Sequence, residues 1–388
     1  MDLFTRITES SKRLIRSSFA LSCFLLPNVV HAGIDVDDLM SIAWEGMWHQ
    51  SGYVTVFHKW TQPLRITLSG DIDRLNRQDI DEALADIGQA AGLEYSVLDS
   101  GNDAGNVLIE IDDDSPKLAP TMPCATSFEW DTKGMKKATV TAKKSYVQKC
   151  MLHELGHVIG IDGHPYGRTV MTYFNRRNEL SDYDRFIIKA RYSPEMKHGM
   201  LPFRALKMIG DKYVASLEST DERTQAQQGV DKFKASLLHE MRQYAEGKGD
   251  PPKVIYRSGR ISMQAMETGR TTMKYFLGVA LMEGDLGVTD TSAAETLLSA
   301  AAAEKNQWAA WALAWRYREG KHLKKDIMSA YSWLACAASL GHQNARKQQT
   351  QIEESLSASD LAAYQEAATE LQAKLAELAP RKDVASAP

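Results

Sequence analysis

The chain has 388 residues, with 44% hydrophobic and 25% charged side chains and a formal net charge of −4. That length holds two or three domains, and the composition is that of a globular protein without long biased tracts. An acidic balance with no basic stripe argues against a nucleic-acid footprint.

Residues 1–32 differ from the rest. Lys12, Arg13 and Arg16 precede the apolar run FALSCFLLPNVV, and HAG follows. A basic region, a short apolar run and small residues before Gly33 read as a signal peptide cleaved after Ala32. The run is too short for a bilayer, and Pro27 interrupts it. The mature protein is therefore expected to be periplasmic or secreted, with no stable membrane insertion. The signal carries four basic and two acidic side chains, so what remains is more acidic still.

Residues 54–195 mix strand and helix patterns. LRITLSG puts Leu64, Ile66 and Leu68 on one strand face. Asn76 reads as a helix N-cap, with Asp79 in the first turn. Ile80, Leu84, Ile87 and Ala91 follow at helical spacing, and Gly92 stops the run. Leu93, Tyr95 and Val97 alternate as a second strand, and NVLIEIDDD is a third. TSFEW, the turn DTKG and ATVTA predict a hairpin. Ser145 and Gln148 have the spacing of a capping box that opens the next helix. The order predicts an α+β domain with a mixed sheet, not a regular βαβ array.

Three cysteines follow the signal. Cys124 and Cys150 flank one short stretch, so a bridge between them is the natural pairing in an oxidising compartment. Sequence alone leaves the connectivity open. Cys336 lies in an alanine-rich helix and reads as a buried small hydrophobe.

The chemistry concentrates in CMLHELGHVIGIDGHP, residues 150–165. His153 and His157 are four apart, so one helix face presents both and they can share a metal. Glu154 follows the first of them and can reach a water on that metal. Gly160 stands where the chain must turn sharply, and glycine tolerates positive φ. RTVMTYF then supplies Met171 and Tyr173, and LSDYDRFIIKARYSP supplies a second capping box, Ser181 with Asp184.

Together these motifs, over 54–195, resemble the metzincin metallopeptidases, matrixin-like ones in particular. The resemblance implies a Zn2+ ion on His153, His157 and a third ligand, with a fourth position open to water. It implies Glu154 as general base, Met171 as an apolar floor, and Tyr173 as a zinc ligand or oxyanion donor. A peptide or protein substrate would lie along an edge strand near 125–130. The family pattern HExxHxxGxxH puts the third ligand at a position held here by Gly163. Two accounts follow. His164, one residue later, reaches the metal if the loop widens, with Gly163 lending backbone freedom. Asp162, one residue earlier, ligates instead. His164 is preferred because imidazole completes a three-nitrogen zinc site. His49, His58, His198, His239, His322 and His342 have no partner at ligand spacing and take surface or structural roles.

Residues 196–255 include the amphipathic stretch VDKFKASLLHEMRQYAEG and the breaker GKGDPPK, and read as a helical linker. From 256 to 375 the chain repeats itself. Gly284 and Gly320, Asp290 and Asp326, Ala294 and Ala330, and Leu298 and Leu334 all share one offset of thirty-six. Such a period predicts stacked helix pairs. WRYREGKHLKKDIMSAYSWLACAASLGHQNA resembles Sel-one-like repeats, relatives of the tetratricopeptide family, and a degenerate copy is expected at 240–275. The resemblance implies a surface for a protein partner. Residues 376–388 read as a flexible tail. Two functions compete: an exported zinc endopeptidase with protein-binding repeats, and a non-catalytic zinc- or peptide-binding scaffold built on those repeats. Glu154 discriminates them, since a binding module has no need of it.

Overall fold

The computed structural model describes residues 33–49, 52–98, 104–119, 122–173, 178–251 and 263–379. The expected signal peptide and the end of the expected tail lie outside them.

The alternation read in LRITLSG becomes β3 (Leu64–Gly70), the second strand of a five-stranded sheet. The sheet runs β4 (Tyr95–Val97), β3, β5 (Val107–Ile111), β7 (Gly134–Ala142), β6 (Cys124–Asp131). All neighbours are parallel except β6, which pairs antiparallel with β7 through the expected hairpin. The edge strand expected near 125–130 is β6, at the end of the strand order. In β5, Val107, Ile109 and Ile111 alternate inward, as a strand with one buried face requires.

Two helices pack with this sheet. In α2 (Arg74–Ala91), Ile80, Leu84, Ile87 and Ala91 face the core, and Gly92 closes the helix at φ 62°. The N-cap is Asp73 rather than Asn76. The helix starts two residues before Asn76, whose side chain instead donates to the Lys144 carbonyl. The second helix, α3 (Val147–Val158), carries the quoted motif. The capping box expected at Ser145 does not form, because residues 144–146 are a tight 3-10 turn and Tyr146 takes the cap position. The box at Ser181 does form, opening α4 (Asp182–Arg191).

Outside the sheet and its helices, the described residues are mostly helical. Residues 33–49 and 52–54, where the sequence reading assigns no element, include α1 (Val36–Glu45) and a two-stranded ribbon of β1 (Trp48–His49) and β2 (Tyr53–Val54). The region 196–255 is more than a linker. It holds α5 (Pro202–Ser216) and α6 (Thr220–Ala245), whose Phe203, Leu206, Ile209, Val230, Leu237 and Tyr244 are buried in a continuous core. Then come α7 (Met263–Glu283), α8 (Thr291–Ala303), α9 (Gln307–Glu319), α10 (Ile327–Ser339), α11 (Gln343–Glu353) and α12 (Ala358–Leu378). The first residues of the expected tail thus belong to α12.

The thirty-six-residue period is structural. Asp290 and Asp326 cap α8 and α10 with their side chains, and Gly284 and Gly320 end the preceding helices at φ 72° and 73°. Ala294, Leu298 and Ala301 are buried, as are their counterparts Ala330, Leu334 and Ala337. The protein is an α+β fold continued by a helical-repeat region. Among the described residues, no helix is long and apolar enough to cross a membrane.

Among the described residues, two hydrophobic cores result. One lies between the sheet and its helices and includes Ile66, Ile109, Val140 and Leu155. The other runs from Ile34 through α5 and α6 into the repeats, reaching Leu375. Helix α4 is shared, since Phe186 and Ile187 enter the second core and Ile188 the first.

Candidate metal centre

Helix α3 is buried on nearly every side from Cys150 to Val158, so its polar residues need partners. The backbone supplies them. His153 Nδ1 lies 2.8 Å from the Val170 carbonyl oxygen, and His157 Nδ1 lies 2.6 Å from that of Ile161. A carbonyl only accepts, so both Nδ1 atoms carry the proton and both Nε2 atoms of the neutral rings offer a lone pair. The His157 and His164 Nε2 atoms are 3.1 Å apart. One ligand atom each from His153, His157 and His164 falls within 4.8 Å of the others.

This set fits a zinc ion. Two nitrogens at about 2.0–2.1 Å from one tetrahedral zinc stand roughly 3.3 Å apart, close to the observed spacing. The backbone bonds at Nδ1 are the outer contacts that orient histidine ligands. Among the described residues, this is the group of three or more His, Cys, Asp or Glu donors placed to hold a metal.

The late histidine is accommodated without unusual torsion at Gly163. Gly160 has φ 93°, and a Cβ there would lie 2.5 Å from the His58 carbonyl oxygen. The chain then extends, and the Asp162 and Gly163 amides both donate to the Gly46 carbonyl at 3.0 Å. Gly163 is not among the positive-φ glycines, so the expected gain in backbone freedom is not its role. It permits contact instead: a Cβ there would come within 2.0 Å of the Glu45 carbonyl oxygen and 2.7 Å of that of Trp48.

Asp162, the alternative ligand, is not one of the three clustered donors. Its Oδ2 accepts from Thr55 Oγ1 at 2.5 Å and lies 3.7 Å from His58 Nε2. Burial pushes the Asp162 carboxyl up to about 6, opposed by the Thr55 bond and Arg191. Burial also pushes His58 down to about 3, with His198 and Arg191 adding to it, so His58 is neutral and its contact with Asp162 is not an ion pair. The positive charge in this cluster is Arg191, which donates to the carbonyls of His58 and Gly160 and lies 4.3 Å above the Phe57 ring.

The other expected residues gather around the imidazoles. Glu154 is buried, and its Oε2 accepts from Thr126 Oγ1 on β6 at 2.8 Å. The Tyr173 ring stacks on His164 with centroids 3.8 Å apart and planes 11° apart. Met171 packs on α3 at Gly156, the residue before His157, where an added Cβ would meet its Sδ. Cys124 and Cys150 form a disulfide that ties the start of β6 to α3, one turn before His153. Cys336 is free and buried.

Several contributors escaped the sequence reading. The sequence marks Asp184 only as a capping residue. Its carboxylate also takes the Thr169 hydroxyl at 2.5 Å and the Val170 amide at 3.1 Å, fixing the turn that leads to Met171. Thr126 and Thr55 carry no motif that could have marked them. His49, assigned a surface or structural role, stacks on Tyr53, and its pKa is lowered by burial and secondarily by His157, so it borders the site. His58 and His198 pack together beside Trp130, and His342 stacks on Trp311, as structural assignments require.

No family model matches the chain. No curated protein matches it. Among solved structures it is similar to a protective antigen present in uropathogenic Escherichia coli strains that displays an SLR fold. The identity is 16%, the match covers 52% of this chain and 50% of that one, and the TM-score is 0.25. The chain therefore spans about half the length of the structure it matches.

Proposed function

We propose that the protein is an exported zinc-dependent endopeptidase of metzincin-like type, with Sel-one-like repeats that bind a protein partner. The observation that carries this reading is the convergence of three imidazoles on one point, with Glu154 on the same helix beside them. Three donors suit a catalytic site, whereas structural zinc sites are closed by four.

His153, His157 and His164 would hold the ion. When bound, zinc supplies Lewis acidity toward a peptide carbonyl and brings the pKa of a water down to about 7. Glu154 receives the proton of the attacking water on its carboxylate and returns it to the leaving amine. Thr126 holds Oε2 of that carboxylate and so fixes its plane. The open edge of β6, to which Thr126 belongs, offers main-chain groups to an extended peptide. Tyr173 keeps the His164 ring in plane by stacking. Export is supported by the basic-apolar leader and by the Cys124–Cys150 disulfide.

The test compares the wild-type chain, without its leader, with Glu154→Gln. Zinc content is measured by elemental analysis and cleavage with a mixed peptide library. The reading expects one zinc per chain in both proteins and cleavage in the wild type alone. Absence of stoichiometric zinc, or equal cleavage by both, overturns it. Zinc in both with cleavage in neither leaves the non-catalytic scaffold.

A further inference from the structure

The loop that delivers His164 leans on a part of the chain far from the sheet. We propose that the helical core positions this third ligand, acting through residues 44–49 and 52–55. The path runs from Gly269 and Tyr244 through Trp48 and Gly52 to Gly163. Its consequence for metal binding rests on the zinc reading above.

Each step is a direct contact. On the site side, the Asp162 and Gly163 amides share the Gly46 carbonyl, and the Tyr166 amide donates to Glu45 Oε2 at 2.8 Å. Thr55 closes the other flank by bonding Asp162 Oδ2, while its own amide donates to the Met47 carbonyl at 3.2 Å. The loop lies so close to residues 45–48 that only glycine fits at 163. On the far side, Trp48 meets the Tyr244 ring edge-on at 5.8 Å, and Trp44 stacks on Phe203 at 5.0 Å. The Tyr244 hydroxyl donates to the Gly52 carbonyl at 3.3 Å. Gly269 in α7 backs both groups, since a Cβ there would lie 2.4 Å from the Tyr244 hydroxyl oxygen and 2.7 Å from the Gly52 carbonyl oxygen.

The physical need follows from the extra residue between Gly160 and His164. A longer loop has more conformers to lose when it closes on a metal. Seating it against a packed surface removes those conformers before the metal arrives. Because packed interiors do not deform smoothly, a small displacement at Tyr244 is passed on through Trp48.

The test uses the full chain without its leader and with the disulfide intact. Gly269→Ala adds one methyl behind Tyr244, and Tyr244→Phe removes only the hydroxyl. Zinc affinity is measured by competition with a chelator, and hydrogen exchange is followed in the metal-free protein. Gly269→Ala is expected to raise the zinc Kd about tenfold. It should also speed exchange at the Asp162 and Gly163 amides while leaving Ile109 and Val140 in the sheet unchanged. Tyr244→Phe should move both quantities in the same direction by less. If Gly269→Ala does not fold, Tyr244→Phe carries the test alone. Wild-type affinity and wild-type exchange at 162 and 163 in the folded variants overturn the proposal. A wild type that binds no zinc overturns the metal reading instead, and exchange alone then decides this one.

Discussion

The Thr126 hydroxyl, on the open edge of the sheet, donates to Oε2 of Glu154 at 2.8 Å. It also lies 3.2 Å from the Glu154 main-chain oxygen. One side chain therefore joins the strand that would bind substrate to the residue that would move the proton. Thr126→Val keeps the shape and removes the donor. A hydrogen bond to a charged group contributes about 1.5–3 kcal/mol, so kcat on a cleaved peptide should fall at least about tenfold. KM should change little, and Thr126→Ser should restore the rate. Steady-state kinetics of the three proteins check this.

The choice between His164 and Asp162 can be settled by metal content. His164→Ala removes a nitrogen that faces the other two and should weaken zinc binding more than about a hundredfold. Asp162→Asn alters a carboxylate engaged with Thr55, so zinc should remain stoichiometric. Its cost should appear as lost stability of about 1–3 kcal/mol, because Arg191 keeps its buried charge without the anion. Chelator competition and thermal melting measure the two effects.

The Cys124–Cys150 bridge closes a span of 26 residues. Loop-closure entropy for that length corresponds to about 3.5 kcal/mol of stability. Denaturant unfolding of the wild type and of Cys124→Ser/Cys150→Ser should differ accordingly, with a steeper slope for the variant because its unfolded chain exposes more surface.

Burial pushes the Cys336 thiol up to about 11. The folded state thus keeps its proton where the unfolded chain, near the ordinary value of about 8.5, has lost it. Between those two values the unfolded state binds fewer protons, so stability falls as pH rises. Melting curves from pH 8 to 11 should fall less steeply for Cys336→Ala than for the wild type. A thiol reagent at pH 8 should label Cys336 only after unfolding.

What was legible in the sequence was what local spacing encodes. His153 and His157 meet because four residues make about one helical turn, and Gly92 and Ser181 close and open helices as their types dictate. The repeat could be read because its caps recur, Asp290 with Asp326 and Gly284 with Gly320. What was hidden depends on distant chain. Gly163 is constrained by Glu45 and Trp48, more than a hundred positions earlier, and nothing in IDGHP reveals that neighbour. Helix α1 could have been found, since Asp35 caps a run with Leu39, Met40, Ile42 and Ala43 inward. Asp184 met its capping expectation, which concealed its second task of holding Thr169 and Val170.

Helix α4 has consequences for anyone who divides this protein. Its Phe186 and Ile187 belong to one interior and its Ile188 to the other. A fragment ending at residue 195 would expose the first two, together with Trp44 and Trp48, to water. Such a fragment should aggregate even though every motif of the metal centre lies within it. Because the interior that holds Phe186 and Ile187 continues through α7 and α8 to Leu375, the piece expected to stay in solution runs from α1 through the repeats.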